Sequence, residues 1–321
     1  MDTKEIESKW NLLNPEPGSS YRSLRISSEC IPDLFIGIDQ EAKRSLILKL
    51  PANYKMDFKS CEKQNLSITF YNDTRWVVLK LLDNNFWDLF NDLIISFYNR
   101  IYRISDIAGY SREIIHTFYK WSEFFDDSRR DKLGEETIKG LWGELRILLD
   151  LLGNSNSNTV NDILSSWRGP FDSCNDFVMS LKNLEVKTKY TSKAEVQISS
   201  EFQLEPESDK GLELVVVNVE RDQVSGASVK DLILQIKELI IDRLGDFTIL
   251  LKAIAQKGLN MRNISEYDIY KYRAINSASY NCILAGFPKI IRTEIPGEIT
   301  RVSYNLNVNS LNDYLILNTG Y

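Results

Sequence analysis

The chain has 321 residues, 43% of them hydrophobic, with four cysteines, one histidine and a formal net charge of -6. That is material for one large or two ordinary domains with ample cores, which excludes a disordered or fibrous protein. The lone His116 excludes two-histidine metal sites and paired-histidine phosphodiesterases, and the scattered Cys30, Cys61, Cys174 and Cys282 suggest neither a zinc site nor a disulfide framework. The acidic balance counts against coating nucleic acid through bulk charge and leaves only a local basic face for that purpose. The N-terminal run Met-Asp-Thr-Lys-Glu-Ile-Glu has no apolar signal region, and no apolar run approaches the roughly 18 residues of a membrane helix, so a cytoplasmic protein is expected.

In chain order, residues 1–21 are polar and hold the turn-rich run Asn14-Pro-Glu-Pro-Gly-Ser-Ser20. Strand-like runs follow at 23–27, 34–38, 45–50, 66–71 and 76–82, with a hairpin across 38–46. From about Asn85 the apolar residues recur at helical spacing, and a second helix is expected from Ser105 or Asp106 to Phe125. His116 lies within that helix between Ile115 and Thr117, and the aromatics Phe118, Tyr119, Trp121, Phe124 and Phe125, which could stack on bases, read as core. After the charged connector 126–134, a helix over 136–152 carries Glu144 at the edge of its apolar stripe, beside Gly140 and Gly143. Two glycines inside one helix cost about 1 kcal/mol each relative to alanine, so the bare surface predicts close approach of a strand pair or of a nucleic-acid backbone. The alternative for Glu144 is a boundary salt bridge to Arg146 or a lysine.

The run 175–190 holds two short strands with a turn between them. Period-two alternation places Glu185, Lys187 and Lys189 on one face and Leu184, Val186 and Tyr190 on the other. Asp176 joins the charged face when the numbers of each cross-strand pair sum to an odd value. A two-residue turn at Lys182-Asn183 satisfies this but leaves Asp176 roughly 13 Å from Glu185. A four-residue loop over 180–183 pairs Val178 with Glu185 and Asp176 with Lys187, bringing the two acids within roughly 7 Å. The second register is expected, because a cation or the lysines would then neutralise both carboxylates. Downstream, a strand at 195–198 is expected beside the hairpin, and Ser200 opens a short helix as a capping box with Gln203. The run 212–219, the most apolar strand, takes a central position, and Ser228 caps a helix through Leu244. A helix over 247–256 and strands near 268–274, 282–285 and 299–307 complete an α/β protein, with turns at 276–280 and at Pro296-Gly297. The expected organisation is a β-rich N-terminal domain (1–84), a helical connector (85–130), an α/β core (131–250) and a C-terminal helix and strands packing on that core (251–321). Lys182, Lys187, Lys189 and Lys193 form one basic cluster and Lys289, Arg292 and Arg301 another; Ser199, Ser200 and Gln203 are in reach of a phosphate or simply cap a turn. The absence of a phosphate-binding glycine loop argues against ATP use by this chain.

Asp176 followed nine residues on by Glu185-Val-Lys187 is preceded by Gly140-Leu-Trp-Gly-Glu-Leu145 and Trp167-Arg-Gly-Pro170, and followed by Ile198-Ser-Ser200 with Gln203-Leu204. In this order the runs resemble the PD-(D/E)XK family of bacterial restriction-type defence clusters over most of the chain. Asn175 stands where the namesake motif has proline, although Pro170 and Asp172 lie just upstream. The resemblance implies a restriction-endonuclease-like core, a mixed sheet flanked by helices, and a Mg²⁺-dependent DNA endonuclease, with Mn²⁺ as a substitute. Asp176, Glu185 and Glu144 would be the metal ligands and Lys187 would position the attacking water. Lys182, Lys189, Lys193 and Gln203 are the candidate DNA contacts. The expected products are a 5′-phosphate and a 3′-hydroxyl, and the expected partners are DNA and either a second copy of the chain or methyltransferase and ATPase subunits. The alternative is a catalytically silent DNA-binding or assembly subunit that keeps the nuclease fold.

Overall fold

The computed structural model describes all residues except 16–19, 55, 57, 59, 126–131 and 172. Most of the turn run after Asn14, most of the 126–134 connector, and Asp172 therefore lie outside the described residues. The chain divides into two compact units, Met1–Arg129 and Arg130–Tyr321.

The first unit contains α1 (Thr3–Trp10), β1 (Arg22–Arg25), β2 (Asp33–Ile38), β3 (Arg44–Lys49), β4 (Cys61–Glu62), β5 (Leu66–Tyr71), β6 (Trp76–Leu81), α2 (Trp87–Ile101) and α3 (Ile107–Ser122). Its strands form an antiparallel sheet in the order β1-β2-β3-β6-β5-β4. The β2–β3 hairpin is fixed by Asp39, whose carboxylate accepts from Glu41 N at 3.0 Å and Lys43 N at 2.8 Å while Ala42 takes a left-handed φ of 57°. The Arg44 guanidinium lies between the rings of Trp10 and Trp87 at 4.8 and 4.9 Å, tying α1 and α2 to β3. Asp106 caps α3, and Phe118, Trp121 and Phe125 are core as expected, whereas Tyr119 is exposed and Phe124 only half-buried. His116 is exposed beside Glu113, as a structural surface residue would be.

The second unit contains α4 (Glu135–Gly153), α5 (Val160–Ser166), β7 (Phe177–Val178), β8 (Lys182–Tyr190), β9 (Glu195–Ile198), β10 (Gly211–Arg221), α6 (Val229–Asp242), α7 (Phe247–Gln256), β11 (Tyr272–Asn281), β12 (Tyr304–Asn307) and β13 (Leu315–Gly320). The mixed sheet runs β13-β11-β10-β8-β7, with β8 and β10 parallel and the other pairs antiparallel. β10 is central as expected, and six of its apolar side chains are buried. Leu212, Leu214 and Val216 join a core with Val196, Ile198, Leu306 and Cys282, while α4 packs on β8 and α6 packs on α4. Ser228 and Asp231 form the predicted capping box of α6. The expected α/β class, a mixed sheet flanked by helices, is what the chain adopts. Among the described residues no helix is long and apolar enough to cross a membrane.

Four local readings differ. The strand expected near 282–285 is a turn, and the one expected over 268–274 begins at Tyr272 and runs on to Asn281. β9 pairs with β12 in a separate two-stranded sheet, because β7 and β10 already occupy both edges of β8. The run 276–280, read as a turn from its small polar residues, is the middle of β11. Pairing with β10 and β13 overrides that propensity, and Asn218, Asn276 and Asn318 hydrogen-bond in a row across the three strands. Residues 201–204 form a turn without continuing into a helix, as Ser200 Oγ accepts from Phe202 N and Gln203 folds back onto Ser199.

Candidate active site

β7 and β8 pair Phe177 with Leu184 and Val178 with Asn183, and Met179 N donates to Lys182 O at 3.1 Å. The pair sums are odd, so Asp176 does share the face of Glu185 and Lys187. The register itself departs from the expected one by two residues: continued one step, it sets Asp176 opposite Glu185 rather than Lys187. Asp176 causes this. Its Oδ2 accepts the Val186 N–H at 2.8 Å, and its main-chain carbonyl accepts from Arg168 N at 2.7 Å and Gly169 N at 3.0 Å, so β7 begins only at Phe177.

α4 brings Glu144 to the same place. The two glycines beside it serve different purposes. A Cβ on Gly143 would collide with the Thr188 hydroxyl of β8, so this glycine permits the close packing of helix on strand. Gly140 has open space around it and lines the cavity described below. Glu144 makes no bridge to Arg146, which pairs with Asp150 instead. Its Oε2 accepts the indole N–H of buried Trp167 at 2.8 Å. Gly169, two residues on, separates two acids: a Cβ there would lie 2.5 Å from Asp176 Oδ1 and 2.7 Å from Glu144 Oε2. Those oxygens are therefore neighbours across Gly169, and a side chain there would push both carboxylates aside.

Glu185 is 1% exposed. Its Oε1 meets Lys187 Nζ at 2.8 Å, while its Oε2 is buried without a hydrogen-bond partner. Lys187 Nζ also donates to Gln203 Oε1 at 3.2 Å, and the same oxygen accepts from Ser199 N at 2.7 Å. Burial first, and then the charge of Asp176, push the carboxyls of Glu144 and Glu185 up to about 8. Burial also raises Asp176, against the opposing Val186 N–H, Lys187 and Lys257. The site thus holds more acid than its own cations neutralise.

All four predicted catalytic residues line one cavity of about 1060 Å³, together with Lys139, Lys189, Lys193, Gln203 and Lys257. Of the candidate DNA contacts, Lys193 and Gln203 face this space with groups exposed or half-buried. Lys189 is buried, and its Nζ donates to Lys193 O at 2.6 Å, so it braces the loop after β8. Lys182 is not part of the lining; it pairs with Glu213 of β10 at 2.6 Å. In the later basic cluster Lys289 donates to Cys282 O, and Arg292 donates to Ile299 O and pairs with Glu201. Sequence reasoning missed Lys257. A lysine before a glycine at a helix end reads as an ordinary terminus, and no local signal ties it to residues more than 70 positions away. The link from Trp167 to Glu144 was likewise hidden, though the run Trp167-Arg-Gly-Pro170 marked the place.

Among the described residues no three His, Cys, Asp or Glu side chains stand close enough to hold one metal ion as they are. The donor chemistry nevertheless fits a hard divalent cation. Three carboxylates converge, and one buried oxygen, Glu185 Oε2, is unpartnered. A family model described as "Putative PD-(D/E)XK family member, (DUF4420)" matches residues 6–309. No curated protein and no solved structure matches the chain significantly.

Proposed function

The chain belongs to this PD-(D/E)XK family, and on that premise we propose that it is a Mg²⁺-dependent DNA endonuclease of restriction type, with Mn²⁺ able to substitute. The observation that carries this reading is the convergence of Glu144, Asp176, Glu185 and Lys187 on one cavity, two of the acids raised to about 8. Asp176, Glu185 and Glu144 would hold the cation, which when bound polarises the phosphate and makes bound water more acidic. Lys187 orients the attacking water and opposes the negative charge that builds on phosphorus. Gln203 fixes the lysine's ammonium for that task, and Trp167 fixes Glu144. The scissile P–O bond breaks on the side opposite the water, leaving a 5′-phosphate and a 3′-hydroxyl.

Cutting both strands requires two such sites, supplied by a second copy of the chain or by partner subunits. Methyltransferase and ATPase companions of a phage-defence cluster, acting together in the cytoplasm, would supply sequence or modification control. The competing reading is a catalytically silent nuclease-fold subunit. It draws on one observation, that among the described residues no acid trio is already spaced for a metal.

Plasmid cleavage with Mg²⁺ or Mn²⁺ separates the two readings. Wild type should cut, and Asp176→Ala and Lys187→Ala, at matched folding, should each lose at least about a hundredfold, the size of a lost transition-state stabiliser. Metal-independent silence of the wild type, with and without partner proteins, would leave the assembly reading standing.

A further inference from the structure

The site holds a second cation that neither the motif nor the reading above uses. α7 ends at Gln256, where Lys257 N donates to Ala255 O and Ile254 O, Gly258 takes a left-handed φ of 77°, and Leu259, 1% exposed, returns its N–H to Ile254 O. This closed cap fixes the backbone of Lys257. α7 packs on the short turn Gly169–Phe171, the turn whose glycine separates Asp176 from Glu144. Lys257 therefore lines the cavity from the end of α7 beside the Gly169 turn, while Lys187 is held by its ion pair with Glu185. Two other lining lysines are committed, Lys139 to both oxygens of Glu136 and Lys189 to Lys193 O, while Lys193 itself is an exposed residue of the loop after β8. The half-buried Lys257 makes no ion pair or hydrogen bond through its ammonium among the described residues. It is near enough to favour the ionised forms of Glu144 and Asp176 without pairing with either.

We propose that Lys257 contacts a backbone phosphate of the nucleic acid bound in this cavity, beside the Gly169 turn. The inference rests on the nuclease reading and extends it. A chain of net charge -6 repels a polyanion at long range, so its grip must come from cations not already neutralised by the protein. Lysine suits the task because its ammonium is a point charge on a flexible stem that can follow a phosphate without a fixed fork geometry.

The test is duplex binding by fluorescence anisotropy over a salt series, with Ca²⁺ replacing Mg²⁺ so that turnover is suppressed, on the full chain. Wild type, Lys257→Ala, Lys257→Gln and Lys257→Arg are compared at matched thermal melting. One lost phosphate contact lowers the slope of log affinity against log salt by about 0.9, so that between about 50 and 200 mM salt the neutral variants lose roughly 3.5-fold less affinity than wild type. Lys257→Arg should restore the wild-type slope. A neutral variant that keeps the wild-type slope overturns the inference, even if its affinity falls, while wild-type cleavage and binding leave the nuclease reading intact. Wild type that neither binds nor cuts duplex overturns the nuclease reading, and this inference with it.

Discussion

The indole N–H of Trp167 donates to Glu144 Oε2 at 2.8 Å, joining the end of α5 to the middle of α4 beside the acid cluster. Trp167 is 1% exposed, so this bond is made with little competition from water. Trp167→Phe keeps the ring but removes the donor. It should cost about 1–3 kcal/mol, the range for leaving a buried polar group without its partner, read as a lower urea midpoint at unchanged slope. It should also raise the Glu144 carboxyl further, since the indole bond is among the influences that lower it. Unchanged stability together with an unchanged titration would remove Trp167 from the site's support.

Gly143 and Gly140 give a paired prediction. Gly143→Ala places a methyl against the Thr188 hydroxyl and forces α4 away from β8, costing roughly 1–3 kcal/mol as overpacking does. Gly140→Ala meets open space and gains up to about 1 kcal/mol of helix propensity. Thermal melts should move in opposite directions. Equal and small effects would mean that helix and strand are not in the close contact described here.

The same helix shows which parts of the site were legible in the sequence. The amphipathic stripe of α4, the caps of α6, the apolar run of β10 and the charged face of β8 are local periodicities, and each could be read directly. Period two, however, fixes only the parity of the hairpin. The register depended on Asp176 capping Val186 N–H, a side-chain choice with no counterpart in a pattern of apolar and polar residues. β9 was readable as a strand, but its partner β12, more than 100 residues away, was not. Asn276, Ser277 and Ser279 carry turn composition and became strand because neighbours on both sides supplied their pairing. Lys257 reached the acids only through the packing of α7 on the turn at Gly169.

The raised acids make a pH prediction for the metal-free protein. Glu144 and Glu185 keep their protons in the folded chain up to about 8, whereas in the unfolded chain they release them near the ordinary value of 4.5. Between those values the folded state binds more protons, so stability falls as pH rises through that window and levels off above it. Glu185→Gln removes one of the two groups and should flatten the profile in urea melts taken from pH 5 to 9. A wild-type profile that rises across the window would contradict the raised values.

A divalent cation must displace those protons. At pH 7 Mg²⁺ binding should therefore release protons, and its apparent affinity should climb with pH through about 8 and level off above it, once both glutamates are ionised. Calorimetry in two buffers of different ionisation enthalpy measures the release directly. Binding of the ion with no proton release would place it away from Glu144 and Glu185.

Gln203, a candidate DNA contact that lines the cavity, also holds the lysine. Its Oε1 accepts from Lys187 Nζ at 3.2 Å and from Ser199 N at 2.7 Å, so one atom locks the ammonium to the turn after β9. Lys187 keeps Glu185 as a second partner at 2.8 Å, so removing Gln203 should loosen the lysine without freeing it. Gln203→Ala should then lower kcat by about 10- to 100-fold, the scale of a displacement near 1 Å, with little change in KM. A pure DNA contact would behave in the opposite way, raising KM and lowering the salt slope of binding by about one phosphate. Gln203→Glu adds a discriminating arm: a carboxylate still accepts from Lys187 but brings a further negative charge beside Glu185, so kcat should remain low while the lysine stays in place. Steady-state kinetics on the three proteins, with the salt slope measured alongside, assign Gln203 to the lysine or to the DNA.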